Sequence, residues 1–279
     1  MSEFSPLRRR LATNRAVRAA VVARRHARIR ADDVFLVSYP RSGNTWLKFM
    51  VAHLLTGEEV GFDRSEELVP PVGMHAGAPR MAPSGGRVIK SHEPYRRLHG
   101  RAYGDVVYLV RDGRDVAVSY YFHQIRRDFF AGGFSEFLTH FLRGEVEGYG
   151  AWHEHVESWL SRPGGARTLV VRYEDLLADT VAALARVADF LGARPDDATL
   201  RAVVESNTAT RMRSKEDDSA LLARRKRNDV PFVRRAAAGQ WSESFDDDDL
   251  ERFERIAGGS LTRLGYELHA RRPPDAPRA

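Results

Sequence analysis

Residues 34–46 read Val34-Phe35-Leu36-Val37-Ser38-Tyr39-Pro40-Arg41-Ser42-Gly43-Asn44-Thr45-Trp46. The apolar first half is typical of a short buried strand, Pro40 and Gly43 indicate a turn, and the pattern then predicts a helix that begins at Trp46. A helix that begins directly after a turn presents unpaired backbone N–H groups and the positive end of its dipole. The segment therefore predicts a phosphate-binding loop, to which Arg41 adds a cation.

This loop differs from the phosphate loop of ATP- and GTP-binding proteins. That loop requires the pattern G-x-x-x-x-G-K-[ST], in which the lysine contacts the outer phosphates and Ser or Thr binds magnesium. Here Asn44 and Thr45 follow Gly43, and the cation Arg41 precedes the glycine. A P-loop-type nucleotide kinase or NTPase is an alternative interpretation. Against it, the sequence lacks the lysine of that loop and a convincing carboxylate for magnesium.

Strands and helices alternate along the rest of the chain. Apolar and β-branched runs predict strands at 33–38, 87–90, 106–110 and 168–171. Helical patterns occupy 46–56, 113–124, 134–143, 149–161, 179–191 and 195–204. The alternation predicts an α/β single domain with a central, mostly parallel sheet flanked by helices, and with ligands bound where the strands end.

Three further segments complete the predicted organisation. Residues 57–85 are rich in Gly, Pro and Met without a clear period, so we expect a loop there. Residues 213–240 mix charges with Gly and Pro, which indicates a long loop or lid. The four aspartates at 246–249 are typical of a helix N-terminus rather than a metal site, because acids are favourable there.

Length and composition limit the class of protein. The chain has 279 residues, no cysteine and no apolar run long enough to span a membrane. Disulfides, thiolate catalysis and Cys-zinc sites are therefore excluded, and a cytoplasmic location without a transmembrane segment is expected. No secretory signal is recognisable, since residues 1–30 are rich in arginine and have no compact apolar region.

The basic character of the chain is concentrated at its N-terminus. The net charge is +6, yet residues 1–30 hold nine arginines and one acid, so the remainder carries a small negative charge. A nonenzymatic protein that binds nucleic acid or another anion is an alternative interpretation. The residues after 30 carry no net positive charge to support it, so we expect no nucleic-acid partner. We predict a solvated, partly helical extension over 1–31, with peripheral contact to an anionic surface as the alternative, then a domain over 32–270 and a tail over 271–279.

Several segments together resemble one known family. The loop quoted above resembles the 5′-phosphosulfate loop of the cytosolic-type sulfotransferases, which depend on 3′-phosphoadenosine 5′-phosphosulfate (PAPS). Other segments match the same family in the same order: Lys90-Ser91-His92, 108–121, 148–156, Arg172-Tyr173-Glu174-Asp175-Leu176, Phe232-Val233-Arg234-Arg235 and Gly239-Gln240-Trp241. The resemblance covers roughly residues 33–267, and chance agreement of all segments in order is implausible.

The resemblance implies a binding site for PAPS and for its product, 3′-phosphoadenosine 5′-phosphate (PAP). The loop would hold the 5′-phosphosulfate through the following residues: Arg41, Ser42, Gly43, Asn44 and Thr45. The 3′-phosphate would be bound by Arg111, Ser119 and the lid residues Arg234, Arg235 and Ala236. Adenine would contact Trp46 and Tyr173, with Asn207 or Thr208 as a further polar contact.

The resemblance also implies a catalytic pair. His92 would act as the general base and Lys90 would bind developing charge, while Arg41 stands where the family more often has lysine. No metal is implied, because cations and backbone N–H groups can stabilise the transferred group. The alternatives are a surface histidine at position 92, an Arg111 that only pairs with Asp115, and a core role for Trp46.

The acceptor is expected to be a small molecule or lipid with a hydroxyl or amine group. Residues 120–123, 129–130 and 134, most of them aromatic, could line an apolar pocket together with parts of 57–85, although aromatic residues are equally suited to an ordinary core. The dimer motif common in the family is not recognisable around residues 242–256, so the oligomeric state stays open.

Overall fold

The computed structural model describes residues 15–96, 103–164, 166–219, 222 and 237–269. Within them, four strands form one sheet: β1 (Val34–Ser38), β2 (Val88–Ser91), β3 (Val106–Val110) and β4 (Thr168–Arg172). The strand order is β2-β1-β3-β4, and every neighbouring pair is parallel. The predicted α/β class is confirmed.

Helices connect and cover the strands. In the described residues they are α1 (Arg15–Arg25), α2 (Asn44–Thr56), α3 (Phe62–Leu68), α4 (Gly113–Arg126), α5 (Phe134–Leu142), α6 (Trp152–Leu160), α7 (Tyr173–Ala178), α8 (Thr180–Leu191), α9 (Asp197–Glu205), α10 (Ala209–Asp217) and α11 (Asp247–Arg263). Short 3₁₀ turns lie at His75–Gly77 and Gln240–Glu243.

The two central strands are buried on both faces. Side chains alternate across a strand, so Phe35 and Tyr108 face one apolar core while Leu36 and Leu109 face another. The first core is completed by α4, α5, α6 and α11, and the second by α2, α8 and α9. Because neighbouring strands are parallel, the carboxyl ends of β1, β2 and β3 lie at one edge of the sheet.

Three differences separate the observed elements from the predicted ones. Part of the expected loop at 57–85 is helical, because Phe62 and Leu68 bury one side of α3 in the second core. The segment expected as a lid begins inside α10, whose Met212 is buried, whereas 220–221 and 223–236 lie outside the described residues. Helix α7 follows β4 without a loop and was not predicted.

The aspartate run acts as expected. The Asp246 side chain accepts a hydrogen bond from the backbone N–H of Asp249 at 2.7 Å, and α11 follows directly. This contact satisfies one of the unpaired N–H groups of the helix, and the acids behind it favour the positive end of its dipole.

The described part of the N-terminal extension is helical, with one face buried against the domain and the other exposed. Helix α1 packs on the domain, with Val22 and His26 buried, and His26 Nε2 lies 2.8 Å from the Tyr103 hydroxyl. Val21 is exposed, whereas the contact face carries Val22 and arginines. Residues 1–14 and the tail from 270 lie outside the described residues, so the domain boundaries stay predictions.

No helix in the described part of the chain is long and apolar enough to cross a membrane.

Candidate active site

The loop after β1 has a backbone that requires glycine at one position. Gly43 has a φ of +93°, and its carbonyl accepts hydrogen bonds from the N–H groups of Trp46 and Leu47 as α2 begins. A Cβ at Gly43 would lie 2.5 Å from Cδ2 of Tyr173. Glycine is therefore needed here for both the left-handed backbone and the close approach of the aromatic ring.

Asn44 fastens this loop to the strand before it. Its buried side-chain amide donates to the Leu36 carbonyl at 3.2 Å and to Ser38 Oγ at 3.0 Å. Ser42 is also buried, and its Oγ has no hydrogen-bond partner. These contacts hold the start of α2, with its unpaired N–H groups, at the mouth of a cavity.

His92 follows β2 and faces the same cavity. Its Nδ1 lies 2.7 Å from the Ser38 carbonyl oxygen, which can only accept, so Nδ1 carries the proton and donates. In the neutral ring this leaves the lone pair on Nε2. The edge of the ring also meets Tyr149, with the two centroids 5.8 Å apart.

The surroundings of His92 favour its neutral form. Burial lowers its pKa well below the usual value, and the nearby Lys90 ammonium lowers it further. The Ser38 carbonyl acts in the opposite direction but does not outweigh them. At neutral pH the imidazole is therefore unprotonated and able to accept a proton at Nε2.

Arg41 lies between the loop and α4. Its φ is +70°, and its Nε donates to Ser119 Oγ at 3.3 Å. Burial, and then the neighbouring Arg111, lower its pKa to about 10. Arg41 nonetheless keeps its charge at neutral pH, so it supplies a fixed cation beside the loop.

Arg111 is held at the end of β3 by contacts on several sides. Its guanidinium lies over the Tyr173 ring, with Cζ 4.4 Å from the centroid, and Nη2 donates to the Ala237 carbonyl at 2.9 Å. The expected pair with Asp115 is present at 3.4 Å. Arg111 therefore lines the cavity while it is anchored to Asp115 and, through Ala237, to the end of the predicted lid.

Asp115 binds the backbone of the segment that contains Gly239 and Trp241. Its two carboxylate oxygens accept from the backbone N–H groups of Gly239 and Trp241, at 2.8 and 2.9 Å. This tethers the end of the predicted lid to the first turn of α4. The Gly239-Gln240-Trp241 motif was noticed in the sequence, but nothing there pointed to its anchor.

The expected adenine end contains Trp46, Tyr173 and Thr208. Trp46 is partly exposed, its indole Nε1 donates to the Asn207 carbonyl at 2.7 Å, and its ring meets Tyr173 edge to face. The Asn207 side chain is engaged elsewhere, since it donates to the Val203 carbonyl and accepts from Lys215 Nζ at 3.1 Å. Asn207 therefore positions Trp46 rather than lining the cavity.

One cavity of about 600 Å³ brings most of the predicted residues together. The predicted residues that line it are Arg41, Gly43, Asn44, Thr45, Trp46, Lys90, His92, Arg111, Ser119, Tyr173 and Thr208. Ser42 and Asn207 are not among its lining residues, and Arg234, Arg235 and Ala236 lie outside the described residues. The cavity thus opens at the carboxyl ends of the parallel strands.

Part of the predicted aromatic lining is in the cavity. Tyr120 and His123 line it, whereas Phe130 and Phe134 pack with the first core. Sequence reasoning missed Arg126 and Arg127, which also line it. A signal was present, because these two follow Ser119 by seven and eight positions and so share its face of α4.

Comparisons with known proteins identify the family. A family model described as a sulfotransferase domain matches residues 31–265. Sulfotransferase 4A1 of Mus musculus is 34% identical over 190 residues, which cover 63% of this chain and 66% of that protein, just under two thirds of its length. Sulfotransferase 1E1 of Cavia porcellus is 27% identical over 86% of this chain and 88% of its own.

Solved structures agree with this match. Mouse sulfotransferase SULT7A1, complexed with PAP, has a TM-score of 0.66 and 26% identity over 84% of this chain and 85% of that one. Retinol dehydratase, in complex with androsterone and inactive cofactor PAP, has a TM-score of 0.68 at 23% identity over 90% of this chain and 87% of its own, a likeness of fold. The chain therefore belongs to the sulfotransferase family. The NTPase and nonenzymatic alternatives are not favoured.

Proposed function

We propose that the protein transfers a sulfonate group from PAPS to a hydroxyl or amine of a small-molecule or lipid acceptor, and releases PAP. The observation that carries the proposal is the orientation of His92. Its Nδ1–H is bound to the Ser38 carbonyl, which leaves Nε2 as the basic nitrogen, and His92 lines the same cavity as the phosphate-binding loop. Membership of the sulfotransferase family supports the reaction type.

The reaction follows from these groups. His92 Nε2 takes the proton of the acceptor hydroxyl as the acceptor oxygen attacks sulfur. The new S–O bond forms while the S–O bond to the 5′-phosphate breaks, and the electron pair leaves with PAP. Lys90 and Arg41, the cations at this end of the cavity, bind the charge on the transferring group and the leaving phosphate.

The remaining loop and strand-end residues would bind PAPS. N–H groups at the start of α2, among Gly43, Asn44 and Thr45, suit the 5′-phosphate because they are the unpaired donors of a helix N-terminus. Ser42, whose backbone N–H donates to the Tyr39 carbonyl at 3.4 Å, is proposed with them as part of the loop. Arg111 and Ser119 would take the 3′-phosphate, and Ser119 would then exchange its contact with Arg41 for the phosphate.

The lid residues and the adenine contacts complete the proposed site. Arg234, Arg235 and Ala236 directly precede Ala237, whose carbonyl is bound to Arg111. This attachment supports their placement at the 3′-phosphate. Trp46 and Tyr173 would contact adenine, with Thr208 beside them on the cavity wall and Asn207 behind Trp46.

The proposed reaction needs no metal, and the proposed location is the cytoplasm. No group of three His, Asp or Glu side chains that could hold a metal occurs among the residues that the structure describes. The charges to be stabilised match the cations that line the cavity. An acceptor of small-molecule or lipid type fits a site of this volume.

Calorimetric titration with PAP in EDTA tests the nucleotide assignment. We expect tight binding without magnesium, whereas binding of ATP only with magnesium would contradict the proposal. A screen of hydroxyl and amine compounds with PAPS, read by mass spectrometry, then identifies acceptors.

His92→Ala tests the base. It should keep PAP affinity and lose turnover by about 10²–10⁴-fold. The matched control is His153→Ala, because His153 lies on α6 and does not line the cavity. Full turnover of His92→Ala with PAP still bound would refute the assignment.

A further inference from the structure

Helix α1 presents one charged face to the domain. Arg18, Val22 and Arg25 are spaced by four and three residues, so they lie on the same side of the helix. Val22 is buried on this side. The Arg18 side chain is only 15% exposed, which is unusual for an arginine near the start of a chain.

The partner of this face is Glu93, the residue directly after His92. Glu93 is 2% exposed, and its carboxylate forms ion pairs with Arg18 and, at 3.3 Å, with Arg25. Its carbonyl accepts from Trp159 Nε1 at 3.0 Å, which fixes the backbone of the turn that carries His92. A buried carboxylate of this kind is costly unless a cation compensates it.

Arg18 reaches His92 by a second route, through Tyr149. The Arg18 guanidinium carbon lies 5.3 Å from the centroid of the Tyr149 ring. Tyr149 lines the cavity, and its ring meets His92 edge to face. Arg18 therefore touches both the residue that follows His92 and the ring that packs against it.

We infer that Arg18 is a positioning residue for His92, which it holds in place through its buried ion pair with Glu93 and its packing over Tyr149. This inference rests on the role proposed above for His92. It also makes part of the arginine-rich N-terminal segment a component of the active site, although the family model begins only at residue 31.

The electrostatic consequence has a definite sign. Besides burial, Lys90, then His155 from α6, then Arg41 lower the pKa of His92 and favour its neutral form. Without Arg18, the Glu93 charge would be compensated only by Arg25, whose side chain is 42% exposed. The uncompensated carboxylate would then favour protonated His92.

Histidine NMR tests the inference without an acceptor. The full chain is labelled with ¹⁵N-histidine, His92 is assigned from the spectrum of His92→Gln, and its protonation is followed with pH. Arg18→Gln should raise the pKa of His92, because the Glu93 carboxylate then lacks its buried cation. Arg18→Lys should restore much of the original value, because it keeps a cation beside Glu93.

Two further variants separate this effect from general damage. Arg18→Gln combined with Glu93→Gln removes both charges, so the pKa of His92 should return toward the wild-type value. Arg24→Gln changes an exposed arginine of the same helix and should leave it unaltered. An unchanged pKa of His92 in Arg18→Gln, or an equal shift in Arg24→Gln, would overturn the inference.

Measurements of folding and of PAP binding on the same variants distinguish failure of this inference from failure of the proposed reaction. If Arg18→Gln unfolds while the double variant folds, the uncompensated Glu93 is confirmed as the cause; if both unfold, the specific coupling to His92 is refuted. PAP affinity should stay within about twofold in all folded variants. If the pKa of His92 shifts in Arg18→Gln but the wild-type protein does not bind PAP, the proposed reaction is refuted and the coupling between Arg18 and His92 is not.

Discussion

Replacement of Gly43 by alanine should separate backbone strain from steric conflict. At a φ of +93° a Cβ adds about 1–2 kcal/mol of strain. The same Cβ would lie 2.5 Å from Cδ2 of Tyr173, and overpacking of this kind adds about 1–3 kcal/mol. We therefore expect Gly43→Ala to lower the free energy of unfolding by about 2–5 kcal/mol.

The matched control is Gly57→Ala at the other end of α2. Gly57 has a φ of +72°, but nothing lies within 4 Å of a Cβ there, so only the backbone cost of about 1–2 kcal/mol applies. Urea denaturation gives both free energies of unfolding. In a Tyr173→Ala background the additional cost of Gly43→Ala should disappear, because the conflicting ring is gone.

PAP affinity measures the functional part of the same change. Tyr173 supports the Arg111 guanidinium at 4.4 Å, so displacement of the ring disturbs the proposed 3′-phosphate site. Calorimetry should show at least about tenfold weaker PAP binding by Gly43→Ala, which corresponds to about 1.4 kcal/mol. Gly57→Ala should bind PAP normally. Equal stability and equal affinity in the two variants would refute the steric argument.

Other predictions concern stability. Asp33→Asn should cost about 3–5 kcal/mol in urea denaturation, because Arg87 would stay buried without its carboxylate, whereas a loss below about 1 kcal/mol would contradict this. Burial lowers the pKa of His123 to about 2 and of His155 to about 3. Below pH 6.5 only the unfolded chain binds these protons, so each histidine should lower the free energy of unfolding by up to about 1.4 kcal/mol per pH unit. His155→Gln should make the free energy of unfolding fall less steeply with decreasing pH. Asn44→Ala should cost about 1–3 kcal/mol by thermal denaturation, since it leaves the Leu36 carbonyl without its side-chain donor.

The ion pair between Asp33 and Arg87 should also be lost at low pH, for a reason different from that given for the histidines. Burial alone would raise the pKa of Asp33, but hydrogen bonds from Arg87 and from the Arg30 backbone outweigh it and hold the pKa below the usual value. The pair therefore stabilises the fold above the unfolded pKa of about 3.9, and this contribution is lost as the pH falls through the folded pKa. Unfolding free energies at pH 7 and pH 3 check it, with Asp33→Asn as the reference.

The sheet could be predicted from sequence because its strands are short, apolar and followed by turns. The strand Val106–Val110 was predicted at its observed bounds, and the others within a residue or so. Helices α3 and α10 were missed for a physical reason. Their stability comes from a few buried side chains such as Phe62 and Met212, and their polar remainder gives no clear period.

The candidate site was predicted to the extent that it depends on segments next to strands. His92, Arg111 and the loop around Gly43 follow strands directly, so a parallel sheet brings them to one edge. Arg18 could not be placed in this way. Its position depends on how α1 packs on the domain, which is a tertiary property that local patterns do not contain.

The central place of β1 has a consequence for synthesis of the chain. Phe35 is paired with Ile89 on one side and with Val106 on the other, so the first strand to be made must wait for both neighbours. At about 5–20 residues per second, several seconds pass before β3 leaves the ribosome. During that interval the strand is an unpaired apolar segment, available to chaperones and open to aggregation.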